Sequence, residues 1–166
     1  VWTGDEPVQL HTDPDCSIAM NGTFLIGSMI LNEDADRSMD AAAYEAYKAM
    51  LHRLHSLGYP YLWRIWNYFP RINDDQDGLE RYQRFCLGRH HALTEVLADF
   101  PSSLPAATAV GTKSGPLQLM FLAGTQPATH LGNPRQLNAY EYPRHYGPRS
   151  PSFARATLTR SEEEYR

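Results

Sequence analysis

The sequence predicts one α/β sandwich domain, of the α+β kind, in which helices cover one face of a mixed β-sheet. Its 166 residues suit a single domain. Hydrophobic residues make up 42% of the chain and charged residues 20%, a composition that builds a core and excludes a disordered polypeptide. Strand-like and helical patterns follow one another in the order β(β)–α–β–α–β–β, which is typical of two packed layers.

The first half of the chain supplies strand signals and then a helix. The apolar run at residues 17–31 predicts one strand, or two strands joined at an Asn-Gly turn. Ser38 can cap the following helix, and Gly58 ends it before Pro60 prevents its continuation. Apolar residues recur on this helix at spacings of three and four: Tyr44, Tyr47, Leu51 and Leu54.

The second half repeats the strand–helix pattern and then adds two strands. The aromatic run at residues 61–69, bounded by prolines, predicts a central strand. Asp75 or Asp77 is expected to cap a second helix that runs to about Phe100. The strands "ATAVGT" and "PLQLMFLAG" are expected to form a hairpin through Lys113-Ser114-Gly115. The apolar stripe of the second helix is Leu79, Tyr82, Cys86, Leu93, Val96 and Leu97.

Charge and cysteine content narrow the class of protein. A net charge of −4 argues against nucleic-acid binding by the whole surface. The two cysteines lack a CxxC pairing, so a zinc ribbon or a disulfide framework is excluded and a cytoplasmic location is expected. No apolar run approaches the roughly 20 residues that span a membrane. Because the chain starts without Met and stops in the charged stretch "SEEEYR", we expect a fragment whose missing part is C-terminal.

Common catalytic and metal motifs are missing from the sequence. The adjacent His90 and His91 would point about 100° apart on a helix, so they rarely bind one ion, and His52 and His55 lack a third ligand. We therefore expect no metal site. No nucleophile elbow, phosphate-binding loop or dinucleotide fingerprint is present.

The second helix carries a charged residue where its apolar stripe continues. Arg89 occupies that position, with Tyr82 one repeat earlier on the same face. A charged side chain that faces inward costs several kcal/mol unless it is paired. Either the Arg89 side chain extends along the helix edge to solvent, or Tyr82 and Arg89 line a pocket over the sheet.

The stretch at residues 138–156 combines arginines with aromatic residues. Arginine outnumbers lysine heavily in the chain, and its planar guanidinium binds carboxylates through two parallel hydrogen bonds. A proline-rich linker is one interpretation of this stretch. Its large aromatic residues favour the other, a packed loop that binds a flat ring bearing carboxylates, because such residues gain from burial.

Four long motifs in the second part of the chain identify a family. "LWRIWNYFPRIN", "GLERYQRFCLGRHHAL", "PAATAVGTKSGPLQLMFLAG" and "NPRQLNAYEYPRHYGPRSPSFARA" resemble the chorismatases, which include 3-hydroxybenzoate synthases and are often labelled pteridine-dependent dioxygenase-like. The resemblance implies a RidA/YjgF-like fold that occurs twice in a chain of about double this length, with the active site between the halves. It implies cleavage of chorismate to pyruvate plus a hydroxybenzoate, such as 3- or 4-hydroxybenzoate, or a dihydroxycyclohexadiene carboxylate. No cofactor is implied.

The resemblance also suggests how this chain is organised. Residues 1–137 would form the RidA-like N-terminal domain, and residues 138–166 a connecting segment toward a missing C-terminal half, which could be a separate chain. The catalytic general acid is expected in that half, so the fragment alone should be inactive. The candidate substrate-binding residues are Arg81, Tyr82, Arg84, Arg89, Arg135, Tyr140, Tyr142, Arg149, Phe153 and Arg155.

Two other functions are compatible with the sequence. One is a RidA-like module that binds small carboxylates, or an imine deaminase, since these also hold a carboxylate with an arginine. The other is a structural domain that mediates oligomerisation through arginine ion pairs. Fold alone does not separate them from a chorismate-cleaving enzyme.

Overall fold

The computed structural model describes residues 6–32 and 37–159. Its strands, in chain order, are β1 (Gln9–Asp13), β2 (Cys16–Met20), β3 (Phe24–Leu31), β4 (Tyr61–Pro70), β5 (Asp75–Gln76), β6 (Leu79–Glu80), β7 (Ala106–Thr112), β8 (Leu117–Gly124), β9 (Thr129–Leu131) and β10 (Ala156–Leu158). Two α-helices, α1 (Met39–Ser56) and α2 (Arg81–Val96), and two 3-10 turns, Ala139–Glu141 and Arg144–Tyr146, complete the described part. None of the described helices is long and apolar enough to cross a membrane.

A six-stranded mixed sheet forms the centre of the domain. Its strand order is β1-β2-β3-β8-β4-β7, and every neighbouring pair is antiparallel except β4 and β7, which run parallel. The predicted mixed sheet with helices on one face is confirmed. Of the two alternatives for residues 17–31, the structure has two strands divided at Asn21, whose Oδ1 accepts hydrogen bonds from the backbone N–H groups of Thr23 and Phe24, both at 2.9 Å.

The predicted hairpin between the last two long strands is wrong. β7 and β8 both pair with β4, so β4 lies between them and they are not neighbours. The chain reaches β7 from β4 through α2, a crossover that makes these two strands parallel. The turn at Lys113-Ser114-Gly115 then passes across the end of β4, and Gly115 adopts a φ of 113° there.

The second helix is shorter than the sequence predicts. It begins at Arg81 rather than at Asp75 or Asp77, and it ends at Val96 rather than near Phe100. Residues 75–80 instead form the small β5–β6 hairpin, whose turn is Asp77-Gly78 with φ values of 53° and 79°. Asp-Gly is a strong hairpin signal, and in this position it prevails over helix capping.

The first helix matches its prediction more closely. Ser38 is the residue before its first turn, although its side chain makes no capping hydrogen bond. Gly58 follows the helix with a φ of 84°, a left-handed conformation that suits glycine. Both helices pack on the same face of the sheet, where Phe69 of β4 stacks on Phe85 of α2 with ring centroids 4.9 Å apart.

A buried chain of hydrogen bonds ties α1 to the sheet. The Tyr47 hydroxyl donates to Asn67 Oδ1 at 2.6 Å, and Asn67 Nδ2 donates to the backbone oxygen of Thr108 at 2.7 Å. Neither side chain is exposed to solvent. Burial raises the pKa of Tyr47 to about 12, so its hydroxyl keeps its proton and donates throughout the neutral range.

Replacing Tyr47 with phenylalanine should therefore lower the free energy of unfolding by about 1–3 kcal/mol, because Asn67 Oδ1 loses its donor in a dry interior. Urea denaturation of the two proteins measures the difference. Tyr61→Phe is the matched control, since Tyr61 is 42% exposed. An equal change in both variants would show that the Tyr47 hydroxyl contributes nothing.

The other face of the sheet carries no helix in the described part of the chain. Side chains alternate between the two faces along a strand. Arg64, Trp66 and Tyr68 of β4 therefore lie on this helix-free face, and the buried Ile65, Asn67 and Phe69 lie on the face that the helices cover. Large apolar side chains on this helix-free face are exposed: Leu10 by 76%, Ile26 by 42% and Val110 by 47%. An antiparallel sheet face that meets water is normally polar, so this face has the character of an interface.

Candidate functional site

Residues 138–158 follow the surface of the domain as an ordered segment, which we call the C-terminal segment. Its Ala139 and Ser152 are buried. The backbone N–H of Ala154 donates to Pro105 O at 2.9 Å, and β10 pairs with β9. The segment thereby covers part of the edge strand β7. The interpretation of residues 138–156 as a proline-rich linker free of the domain is therefore wrong. Residues 160–166 lie outside the described residues.

An arginine held between aromatic rings is the most distinctive feature of the C-terminal segment. The Arg155 guanidinium carbon lies 5.8 Å from the Tyr142 ring centroid and 5.4 Å from that of Phe153. Its Nη2 donates to the Tyr142 hydroxyl at 2.5 Å and, at 3.5 Å, to Leu137 O. Its Nε is buried and has no hydrogen-bond partner within residues 6–32 and 37–159. We call Tyr142, Phe153 and Arg155 the arginine clasp.

The arginine clasp has the chemistry to bind a flat anionic ring. An unpaired guanidinium N–H in a partly dry site gains from a carboxylate acceptor. Aromatic surface continues next to the arginine clasp. The ring centroids of Tyr142 and Tyr146 lie 5.8 Å apart, and those of Tyr146 and His145 lie 4.1 Å apart. Tyr146 is 63% exposed, so this surface is open to a ligand.

Arg149 lies in a different place, beside a groove of about 560 Å³ between the two helices. His90, His91 and Tyr44 line the same groove. Burial first, and then the nearby Arg149 and His91 charges, lower the pKa of His90. Asp40 also lines this groove, so Arg149 faces a cleft with groups of both signs rather than the arginine clasp.

Two of the predicted arginines at the start of α2 already have protein partners. Arg84 donates from Nε to Gln76 O at 2.7 Å and from Nη1 to Asp40 Oδ1 at 3.2 Å. Arg81 is buried, and its Nε donates to Pro70 O at 3.3 Å. These contacts hold the β5–β6 hairpin and the first turns of both helices together.

Arg89 is buried under α2, with 3% of its surface exposed, so the interpretation in which it extends to solvent is wrong. Tyr82, seven residues earlier, is half-buried and stacks against Phe85 at 6.4 Å. Tyr140 also packs partly buried against the core, while the Arg135 side chain is exposed. The structure brings together Tyr142, Phe153 and Arg155. A role in substrate binding stays a prediction for every one of the candidates.

Sequence reasoning missed a second arginine–aromatic pair on the helix-free face. The Arg64 guanidinium carbon lies 5.2 Å from the Trp66 ring centroid, and its Nη2 donates to Thr108 Oγ1 at 3.3 Å. Burial lowers the pKa of Arg64. The two-residue spacing of Arg64, Trp66 and Tyr68 in a predicted strand was the available signal, because such residues share one face.

The described residues contain neither a cluster of metal-binding side chains nor a buried acidic side chain. Within residues 6–32 and 37–159, no three His, Cys, Asp or Glu side chains cluster as metal ligands would. No aspartate or glutamate is buried in this part of the chain. Glu95 is exposed, and hydrogen bonds from Lys48 and Tyr44 lower its pKa. The described residues therefore offer groups that bind anions, and no buried carboxylic acid.

Comparison with known proteins places these features in a family. Residues 1–123 match the family described as "Chorismatase FkbO/Hyg5-like, N-terminal". A chorismatase of Streptomyces hygroscopicus is 40% identical over 159 residues, which cover 95% of this chain and 45% of that protein. A 3-hydroxybenzoate synthase of the same species is 42% identical over 118 residues, covering 70% of this chain and 34% of that protein.

A solved structure agrees with both sequence relatives. A chorismatase crystal structure superposes with a TM-score of 0.82 at 40% identity, covering 91% of this chain and 45% of that one. The chain thus spans less than half the length of each of these relatives. The chain belongs to the chorismatase family and matches its N-terminal part.

Proposed function

We propose that the complete polypeptide carrying this chain cleaves chorismate to pyruvate and either a hydroxybenzoate or a dihydroxycyclohexadiene carboxylate, and that this chain supplies substrate-binding groups. The observation that carries this proposal is the 40% identity, over 95% of the chain, with a protein named chorismatase. A relative named 3-hydroxybenzoate synthase points to the same substrate. The reaction needs an acid and, for the dihydro product, a water molecule, so we assign no cofactor.

The proposed reaction begins with proton transfer to carbon. A general acid protonates the methylene carbon of the enol ether, which leaves a positively charged carbon bonded to the ether oxygen. For the dihydro product, water adds to that carbon, and the bond to the ether oxygen then breaks to release pyruvate and the ring alcohol. Both substrate carboxylates must be held in place while this charge develops, which favours arginine as the binding residue.

The arginine clasp is the part of this chain that we assign to a substrate carboxylate. The unpaired Nε of Arg155 lacks an acceptor, and the rings of Tyr142 and Phe153 flank the guanidinium. A carboxylate at Nε would complete the hydrogen bonding of this buried donor. The adjacent aromatic rings would pack against the substrate ring.

The general acid is assigned to a second, C-terminal half. A carboxylic acid that must stay protonated near neutral pH is usually buried, since burial disfavours its charged form. The described residues contain no buried aspartate or glutamate. The acid would then come from outside this chain, and the fragment alone would be inactive.

The helix-free face gives the second half a place to dock. Exposed Leu10, Ile26 and Val110 lie on it together with the Arg64–Trp66 pair. Covering this face would remove apolar surface from water, and it would place the second half next to β7 and the C-terminal segment. We assign residues 1–137 to the N-terminal domain and residues 138–166 to a connection toward this half, on the same polypeptide or a separate chain, in the cytoplasm.

Pyruvate release tests the proposed function. The complete polypeptide should release pyruvate from chorismate without an added cofactor, as followed by coupled lactate dehydrogenase, while residues 1–166 alone should release none. The matched control is the same coupled assay with pyruvate added directly. If the complete polypeptide leaves chorismate intact, it is not a chorismatase, and calorimetric binding of chorismate without turnover would then favour the carboxylate-binding module.

A further inference from the structure

Arg89 is a buried cation, and two of its three guanidinium nitrogens have no hydrogen-bond partner among the described residues. Its side chain is 3% exposed, and both Nε and Nη2 are buried with no acceptor. The Arg89 side chain contacts an aromatic ring, since its guanidinium carbon lies 5.4 Å from the Tyr47 ring centroid. That ring cannot shift freely, because the Tyr47 hydroxyl is fixed by Asn67. A buried guanidinium left in this state is costly, so an acceptor is needed.

Neighbouring side chains do not neutralise this charge. Burial raises the pKa of Tyr47 to about 12 and that of the Cys86 thiol to about 11, so both groups are neutral near pH 7. Burial likewise raises the pKa of Tyr82. Glu80 lies nine residues before Arg89, about 13 Å along the helix axis, which is too far for contact. No ion pair of Arg89 occurs within the described residues.

The two unpaired donors lie on one edge of the guanidinium. The Nε–H and the neighbouring Nη2–H bonds point in the same direction, and together they form the fork that grips the two oxygens of a carboxylate. A single water molecule could accept from the fork, but it would leave the charge unbalanced. We propose that the Nε–Nη2 edge of Arg89 binds a carboxylate group inside the α/β layer, separately from the arginine clasp.

This carboxylate could be carried by a free small molecule or by the substrate. The shared chemistry is a flat anion with two acceptor oxygens, and formate is the smallest probe that has it. Binding to the folded state alone stabilises a protein in proportion to the logarithm of ligand concentration. A carboxylate bound at Arg89 should therefore raise the stability of the folded state, whether or not the complete polypeptide cleaves chorismate.

Thermal unfolding in formate tests the Arg89 site. For the complete polypeptide, we expect sodium formate near saturation to raise Tm by about 5 °C over sodium chloride of equal ionic strength. Arg89→Met should abolish this difference. Should the methionine variant fail to fold, Arg89→Lys keeps the charge but lacks the fork, and most of the formate effect should disappear. Arg144→Met, at an exposed arginine of the C-terminal segment, should respond like the unmodified protein.

Further measurements distinguish a carboxylate of the substrate from a free small carboxylate, and they define the results that would contradict the proposal. If formate competes with chorismate and Arg89→Lys raises KM, the substrate supplies the carboxylate; if formate stabilises without competing, a free small carboxylate does. Equal formate responses in the unmodified protein and in both Arg89 variants would overturn the proposal. A crystal structure in formate that shows only water at Nε and Nη2 would overturn it as well.

Discussion

Arg155→Ala is expected to lower kcat/KM for chorismate in the complete polypeptide by about 30- to 4,000-fold, equivalent to about 2–5 kcal/mol. The guanidinium has a buried, unpaired Nε and lies between two rings, so a carboxylate bound there is largely removed from water. Removing the guanidinium leaves that carboxylate without its partner in a low-dielectric site. Arg155→Lys should recover only part of the loss, because lysine keeps the positive charge but lacks the Nε–H to which the carboxylate is assigned.

Controls distinguish binding by Arg155 from support of the fold. Arg155 also bonds Tyr142 and Leu137, so its loss should lower Tm modestly as well. Arg144→Ala, at an exposed arginine of the same segment, should leave kcat/KM within about twofold. Arg135→Ala provides a second comparison, since Arg135 is exposed but belongs to the predicted substrate-binding set. A lower Tm with unchanged kcat and KM for Arg155→Ala would assign Arg155 a purely structural role.

Gly88→Ala is expected to lower the free energy of unfolding by about 3 kcal/mol, and Tm by about 6–12 °C. A Cβ atom at Gly88 would lie 1.9 Å from the backbone oxygen of Asp40 and 2.9 Å from the backbone N of Tyr44. Both atoms belong to helix α1, so relief requires the two helices to separate. The gain in helix propensity from glycine to alanine, about 1 kcal/mol, is smaller than this cost.

Gly22→Ala is the matched control for the Gly88 prediction. A Cβ atom there would meet only the flexible Glu6 side chain, at 3.3 Å. Its effect on Tm should be small. If both glycine substitutions changed Tm equally, helices α1 and α2 would not be in the close contact that the structure shows.

Local sequence signals predicted the helices, strands and turns of this fold, but they did not predict which strands are neighbours in the sheet. The Ser38 start and the Gly58 end of α1 depend on residues close in sequence, and both were predicted correctly. The turn at Asn21, one of the two alternatives for residues 17–31, is equally local. The position of β4 between β7 and β8 depends on long-range pairing, which no turn motif specifies. At residues 75–80 two local signals competed, and the Asp77-Gly78 turn prevailed over a helix cap.

The candidate site likewise has some features that the sequence predicted and others that depend on how the chain folds. Composition predicted that arginines and aromatic residues of the C-terminal segment lie together, and Tyr142, Phe153 and Arg155 do. Composition could not show that Arg149 faces a separate groove, since that depends on how the segment crosses α2. The Arg64–Trp66 pair was overlooked, although the predicted sheet with helices on one face already places Arg64 and Trp66 together on one side of β4.

A structure of the complete polypeptide with bound 3-hydroxybenzoate would test most directly whether this chain contributes to a chorismate site. This ligand is the product named for one relative, and it carries one ring and one carboxylate. We expect a carboxylate oxygen about 3 Å from Arg155 Nε and the ligand ring beside Tyr142 or Phe153. A ligand bound elsewhere, with Arg155 Nε still buried and unpaired, would contradict the assignment of substrate binding to the arginine clasp.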